Sequence, residues 1–192
     1  ERLDGAVLVA TGPLTNVALL LARHPQARPD RIVLMGGAIA EGNVTPAAEF
    51  NIWGDPEAAR RVFTSGLDVT MVGLDVTHKA LFTGEQNDRM RPRGRAAKLA
   101  AELVDFYRRS HPRIGGTPIH DAVAVAQVVK PDLLTLEHCH VEVDCGPVSR
   151  GRTLVDLRGV TAGQPNVHVA TDVDPAFNDL MAGHVDLAFG SI

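Results

Sequence analysis

The sequence predicts a doubly wound α/β fold, a mostly parallel sheet with helices on both faces, and three observations carry that expectation. Short apolar runs, continuous at 6–10 and 32–35, read as strands buried on both faces, and another strand follows at 69–74. Helical segments separate them at the spacing of βαβ units. The first two runs end in glycine-rich, polar stretches, on the side where open α/β sheets place their ligands. At 192 residues, the chain reads as a single domain, 1–192, able to bury about 70% of its unfolded surface.

The first run, AVLVA, stops at Thr11-Gly12-Pro13, and an Ala/Leu-rich helix over 15–24 ends before Pro25. After a polar turn, the apolar run IVLM at 32–35 completes one βαβ unit. Asp55-Pro56-Glu57 then supplies a capping side chain, a proline at the first helical position and an acid in the first turn, which opens a helix to about Phe63. The third strand run follows. Residues 95–109 form an amphipathic pattern, predicted to pack through Leu99, Leu103, Phe106 and Tyr107. A Gly-rich loop at 112–118 leads into a short, very apolar helix over 122–129, with His120 and Asp121 at its start. Strand-like runs at 140–143, 153–157 and 167–171 and a helix from about Asp174 complete the pattern. Thr11, Met35 and Asp75 all fall at carboxyl ends of predicted strands.

The segment 36–59 is the most informative. Gly36, Gly37, Gly42, Pro46, Gly54 and Pro56 punctuate it as a loop, longer than most connections in compact domains, while Asn43, Glu49 and Asn51 crowd into it. If 49–51 is extended, Glu49 and Asn51 share one side and Phe50 anchors the other. A carboxylate that accepts from hydroxyls, beside amides that donate and accept, suits a sugar.

GNVTPAAEFNIWGDPEAA (42–59) resembles the ribose-binding loop of the inosine-uridine preferring nucleoside hydrolases. TGPLTN (11–16), VLMGGA (33–38), VGLDVTHKAL (72–81) and IHDAVAVA (119–126) continue the likeness in the family's order. It is strong over about 5–130. The family's opening DTDxGxDD signature is absent, so the chain is expected to begin about a third of the way into the pattern. The resemblance implies a calcium-dependent enzyme that splits ribonucleosides into base and ribose. It implies calcium ligation by Asp121 and the Thr11 carbonyl, a ribose site made by Asn43, Glu49 and Asn51 with Met35 against the sugar, and protonation of the leaving base by His120. An unperturbed histidine, with a pKa near ~6.5, is well placed for that task. The general base belongs to the missing signature, and activity is expected to need that segment. His78 follows a strand end and has no assigned role.

Composition narrows the partners. A net charge of −4 with interspersed signs leaves no footprint for nucleic acid, and no apolar run approaches the ~20 residues that cross a bilayer. Two cysteines, Cys139 and Cys145, without CxxC spacing or a leader, fit a reducing cytoplasm. In His138-Cys139-His140 a strand points both histidines one way and the thiol the other, an exposed strand face rather than a metal site. A small ribonucleoside is the expected ligand, and a homo-oligomer, dimer or tetramer, the expected assembly. The competing expectation is a truncated, non-catalytic nucleoside-binding or oligomerisation module.

Overall fold

The computed structural model of the chain describes residues 3–110 and 115–181. In order, these form β1 (Val7–Ala10), α1 (Thr15–Arg23), β2 (Arg31–Met35), α2 (Phe50–Gly54), α3 (Pro56–Phe63), β3 (Asp68–Val72), α4 (Leu74–Thr77), β4 (Leu81–Phe82), α5 (Gly84–Met90), α6 (Arg95–Ser110), β5 (Thr117–Pro118), α7 (His120–Val129), β6 (Leu134–Val143), β7 (Thr153–Asp156) and β8 (Val167–Val173). Residues 176–181 are helical, and the Gly-rich loop at 112–118 lies partly outside the described residues.

The main sheet has the order β1-β2-β3-β8-β6-β7. β1, β2, β3 and β8 run parallel, whereas β6 is antiparallel to both β8 and β7. The sheet is therefore mixed, with its parallel half carrying the βαβ units. Alternation along β2 shows why its sequence is apolar throughout. Ile32 and Leu34 enter a core shared with α1 and α3, while Val33 and Met35 enter a second core shared with α4 and α7. Buried on both faces, such a strand needs unbroken hydrophobicity. β1 is the sheet's edge among the described residues and pairs with β2 alone.

Asp55 caps α3 as its sequence predicts, accepting from the Ala58 N–H at 3.0 Å with Pro56 in the first turn. α6 forms over the expected span but turns the other way. Leu99, Leu103 and Phe106 are exposed, and Ala97 and Ala101 are buried. The Ala97-Ala101-Asp105 stripe faces α5, where Asn87 Nδ2 donates to the Ala101 carbonyl and to the Asp105 carboxylate, and Arg91 pairs with Asp105. Small residues admit a neighbouring helix closely, and a polar network sets the rotation, so the bulkier apolar face is left outside.

Candidate active site

Adjacent parallel strands deliver Thr11, Met35 and the start of α4 to one end of the sheet. Ala10 pairs with Leu34 and Met35 with Val72, so the residues that follow β1 and β3 flank the end of β2. α7 packs across β1 and β2 and brings His120 and Asp121, in its first turn, to that same end.

The long loop after β2 is fastened rather than loose. Gly37 adopts φ +79°, and a Cβ there would lie 2.8 Å from Met71 Sδ and 3.1 Å from Thr153 Cγ2, so both its backbone and its surroundings require glycine. Its carbonyl accepts from the Leu74 N–H at 2.9 Å. Thr153 Oγ1 accepts from the Ala38 N–H at 2.9 Å and donates to the Ala38 carbonyl at 2.6 Å. Asp75 accepts from the N–H groups of Ile39 and Ala40. Asp75 thus clamps the loop through backbone bonds.

Phe50 and Asn51 are helical rather than extended, and this corrects the alternation expected for 49–51. Glu49 is the N-cap of α2 with φ −81° and ψ 147°, and its side chain turns inward until the residue is only 2% exposed. Oε1 accepts from the Asn51 N–H at 2.9 Å, and Oε2 accepts from Gly37 at 2.9 Å and Ile52 at 3.2 Å. With three of roughly four acceptor positions filled, about one remains for a ligand hydroxyl. Phe50, expected as the anchor, is 55% exposed. The core position falls instead to Ile52, because a helical turn replaces the two-residue period. Asn51 donates from Nδ2 to the Met35 carbonyl at 3.0 Å, tying the sugar-loop residue to the end of β2. Asn43 is exposed on the loop, its Oδ1 accepting from the Phe50 N–H at 2.9 Å.

Two carboxylates and two histidines set the electrostatics. Burial raises the pKa of Glu49 against the pull of its three backbone donors, and the nearby charge of Asp121 raises it further. Burial likewise raises Asp121. The Asp121 carboxylate lies at the surface of the site and has no hydrogen-bond or ion-pair partner among the described residues. An unneutralised carboxylate that repels a second one fits a cation, and calcium takes oxygen ligands of this kind. No group of three His, Cys, Asp or Glu side chains among the described residues could hold a metal ion. Asp121 and the Thr11 carbonyl, the ligands the family resemblance implies, would supply only two of the six to eight oxygens that calcium takes.

His120 Nδ1 lies 2.7 Å from Thr77 Oγ1, and the His78 ring meets the His120 ring edge-on with centroids 5.6 Å apart. The ordinary pKa anticipated for this histidine does not hold. Burial, with a smaller contribution from His78, lowers it to about 4, so the ring is neutral at pH 7. Cys139 is buried in β6, whereas His138 stacks on His168 and His140 bonds to Glu142. Asp75 and Thr77 were within reach of sequence reasoning, since both lie in the DVTH block. Thr153 gave no signal, because its partner Ala38 is 115 positions away.

Known proteins match this arrangement. The description of inosine-uridine preferring nucleoside hydrolases fits residues 2–178. The pyrimidine-specific ribonucleoside hydrolase RihA of Citrobacter koseri is 46% identical over 191 residues, 95% of this chain and 61% of that protein. Among solved structures, a purine-preferring ribonucleoside hydrolase from Gardnerella vaginalis aligns with TM-score 0.83 at 37% identity, covering 95% of this chain and 62% of its own. The plant nucleoside hydrolase PpNRh1 aligns with TM-score 0.84 at 33% identity and the same coverage. The chain thus spans less than two thirds of the length of these relatives.

Proposed function

The chain belongs to the inosine-uridine preferring nucleoside hydrolase family, and from that premise we propose that the protein containing it hydrolyses the N-glycosidic bond of ribonucleosides to free base and ribose. The observation that carries this reading is the meeting, at one end of the sheet, of the Met35–Glu49–Asn51 cluster with His120 and Asp121. Likeness to a pyrimidine-specific relative favours uridine and cytidine as substrates. The reading also takes in a cytoplasmic location and a homo-oligomeric assembly, dimer or tetramer.

Cleavage of this bond places positive charge on the ribose and negative charge on the departing base, so the protein must stabilise both. Glu49, Asn51 and Asn43 bind and orient the sugar hydroxyls, with Met35 against the ring. His120 offers a ring N–H to the base as charge develops there. Thr11, through its carbonyl, and Asp121 would hold calcium, which when bound polarises an attacking water and grips hydroxyl oxygens. The packed strands and helices exclude bulk water from one side of this cluster, strengthening each of these interactions.

Turnover of uridine, cytidine, inosine and adenosine by the full-length protein, with calcium and after chelation, tests the proposal. Calcium-dependent release of ribose is expected, fastest from the pyrimidine nucleosides. Failure on all four would favour a non-catalytic nucleoside-binding module. Residues 1–192 by themselves should give no measurable turnover, because two oxygen ligands leave calcium largely hydrated. Robust hydrolysis by 1–192 alone would refute that expectation and direct attention to other carboxylates near the site.

A further inference from the structure

We propose that Thr77 is a positioning residue that fixes the tautomer of His120, keeping the ring proton on Nε2 where it meets the leaving base. The inference rests on the reading of His120 given above and adds the group that makes that reading chemically possible. A neutral imidazole carries one N–H and one bare nitrogen. Only the tautomer protonated on Nε2 has anything to donate there if Nδ1 is the nitrogen held by the protein.

The contact is defined on both sides. Thr77 ends α4 and is fully buried, with its backbone N–H bonded to the Gly73 carbonyl at 3.1 Å. Its Oγ1 lies 2.7 Å from His120 Nδ1, and among the described residues the hydroxyl has no other hydrogen-bond partner. Two arrangements are available. In the first, the hydroxyl donates to a bare Nδ1, its single proton is used, and the ring proton sits on Nε2. In the second, Nδ1–H donates to Oγ1, and the hydroxyl proton is left without an acceptor in a fully buried position. An orphaned buried donor costs the full desolvation of its O–H, whereas a hydroxyl oxygen with a spare lone pair costs less. The first arrangement is favoured on these grounds alone. It also leaves Nε2–H without a partner among the described residues, available to a ligand.

α4 is well suited to hold this bond steady. Its first residue, Leu74, donates to the Gly37 carbonyl at 2.9 Å, and Gly37 in turn donates to Glu49. The helix that orients the base-facing histidine is therefore tied to the loop that grips the sugar. His78, one residue on, walls the edge of the His120 ring. A valine at 77 would keep the shape of the threonine but remove the donor, and the ring could then place its proton on either nitrogen.

The test compares Thr77→Val, Thr77→Ser and His120→Ala in the full-length protein, using uridine and p-nitrophenyl riboside, whose leaving group departs without help from a donor. His120 nitrogen shifts in ¹⁵N-histidine-labelled protein report the tautomer directly. For the wild type, a protonated Nε2 and a bare Nδ1 are expected. Thr77→Val should lower uridine turnover about 10- to 100-fold, change p-nitrophenyl riboside by less than about threefold, and shift Nδ1 toward mixed protonation. Thr77→Ser should restore both the rate and the shifts. A wild-type Nδ1 that carries the proton would overturn the inference, even if Thr77→Val failed to fold. So would equal losses on the two substrates in Thr77→Val while His120→Ala still distinguishes them. Equal losses in His120→Ala itself would instead remove the underlying reading of His120, and the inference with it.

Discussion

Replacing His120 with alanine in the full-length protein should slow uridine and inosine hydrolysis by about 10²- to 10³-fold, the loss typical when one preorganised donor to a developing anion is removed. The substrates should not suffer alike. p-Nitrophenol leaves as a stable anion, so p-nitrophenyl riboside should be cleaved at nearly the wild-type rate. Burial of the ring sharpens this contrast. A histidine titrating near neutrality could act as an imidazolium acid, but His120 is held neutral by burial, with its pKa lowered to about 4. Its N–H then works as a hydrogen-bond donor, as a neutral catalytic histidine does when it polarises a carbonyl. Steady-state rates on the two substrate types check this, and equal losses would show that the ring only shapes the pocket.

Much of the parallel half of the fold was legible because both of its signals are local. Apolar runs marked β1, β2 and β3, and Asp55-Pro56 marked the start of α3 within a residue. The candidate site was legible for a different reason. Its residues sit at strand ends and in one dense loop, so their positions in the chain already placed them on one side of the sheet. What could not be read were contacts that only folding creates. α2 is five residues long and capped by a glutamate that also reaches back to Gly37, a bond no period of two or 3.6 reveals. In α6 the amphipathic pattern pointed Leu99, Leu103 and Phe106 inward, yet alanines and the Asp105 network won the interface with α5. Thr153 braces Ala38 from a strand on the far edge of the sheet.

Glu49→Ala should destabilise the protein by about 2–4 kcal/mol, a larger loss than a surface loop residue would give. A polar residue in a loop can ordinarily be removed with little effect on melting. Glu49 is an exception, because the buried carboxylate bonds the N–H groups of Gly37, Asn51 and Ile52 at once. Alanine leaves those three donors short of an acceptor, with water the only replacement. Glutamine should be only a partial remedy. It presents one carbonyl oxygen, so its NH₂ must oppose an N–H where the other carboxylate oxygen stood. Asn51→Ala removes the bond to the Met35 carbonyl and a weaker one to its sulfur, and should cost about 1 kcal/mol. At about 2–4 °C per kcal/mol for a chain of this size, thermal melts of the three variants should rank Glu49→Ala lowest and Asn51→Ala nearest the wild type. A Glu49→Ala protein that melts with the wild type would show that these bonds contribute nothing net. Nucleoside affinity separates the ligand's share from the fold's. Asn51→Ala should weaken ribose binding out of proportion to its small stability loss, while Glu49→Ala should lose both together, because the acceptor left for a sugar hydroxyl belongs to the same carboxylate that caps the helix.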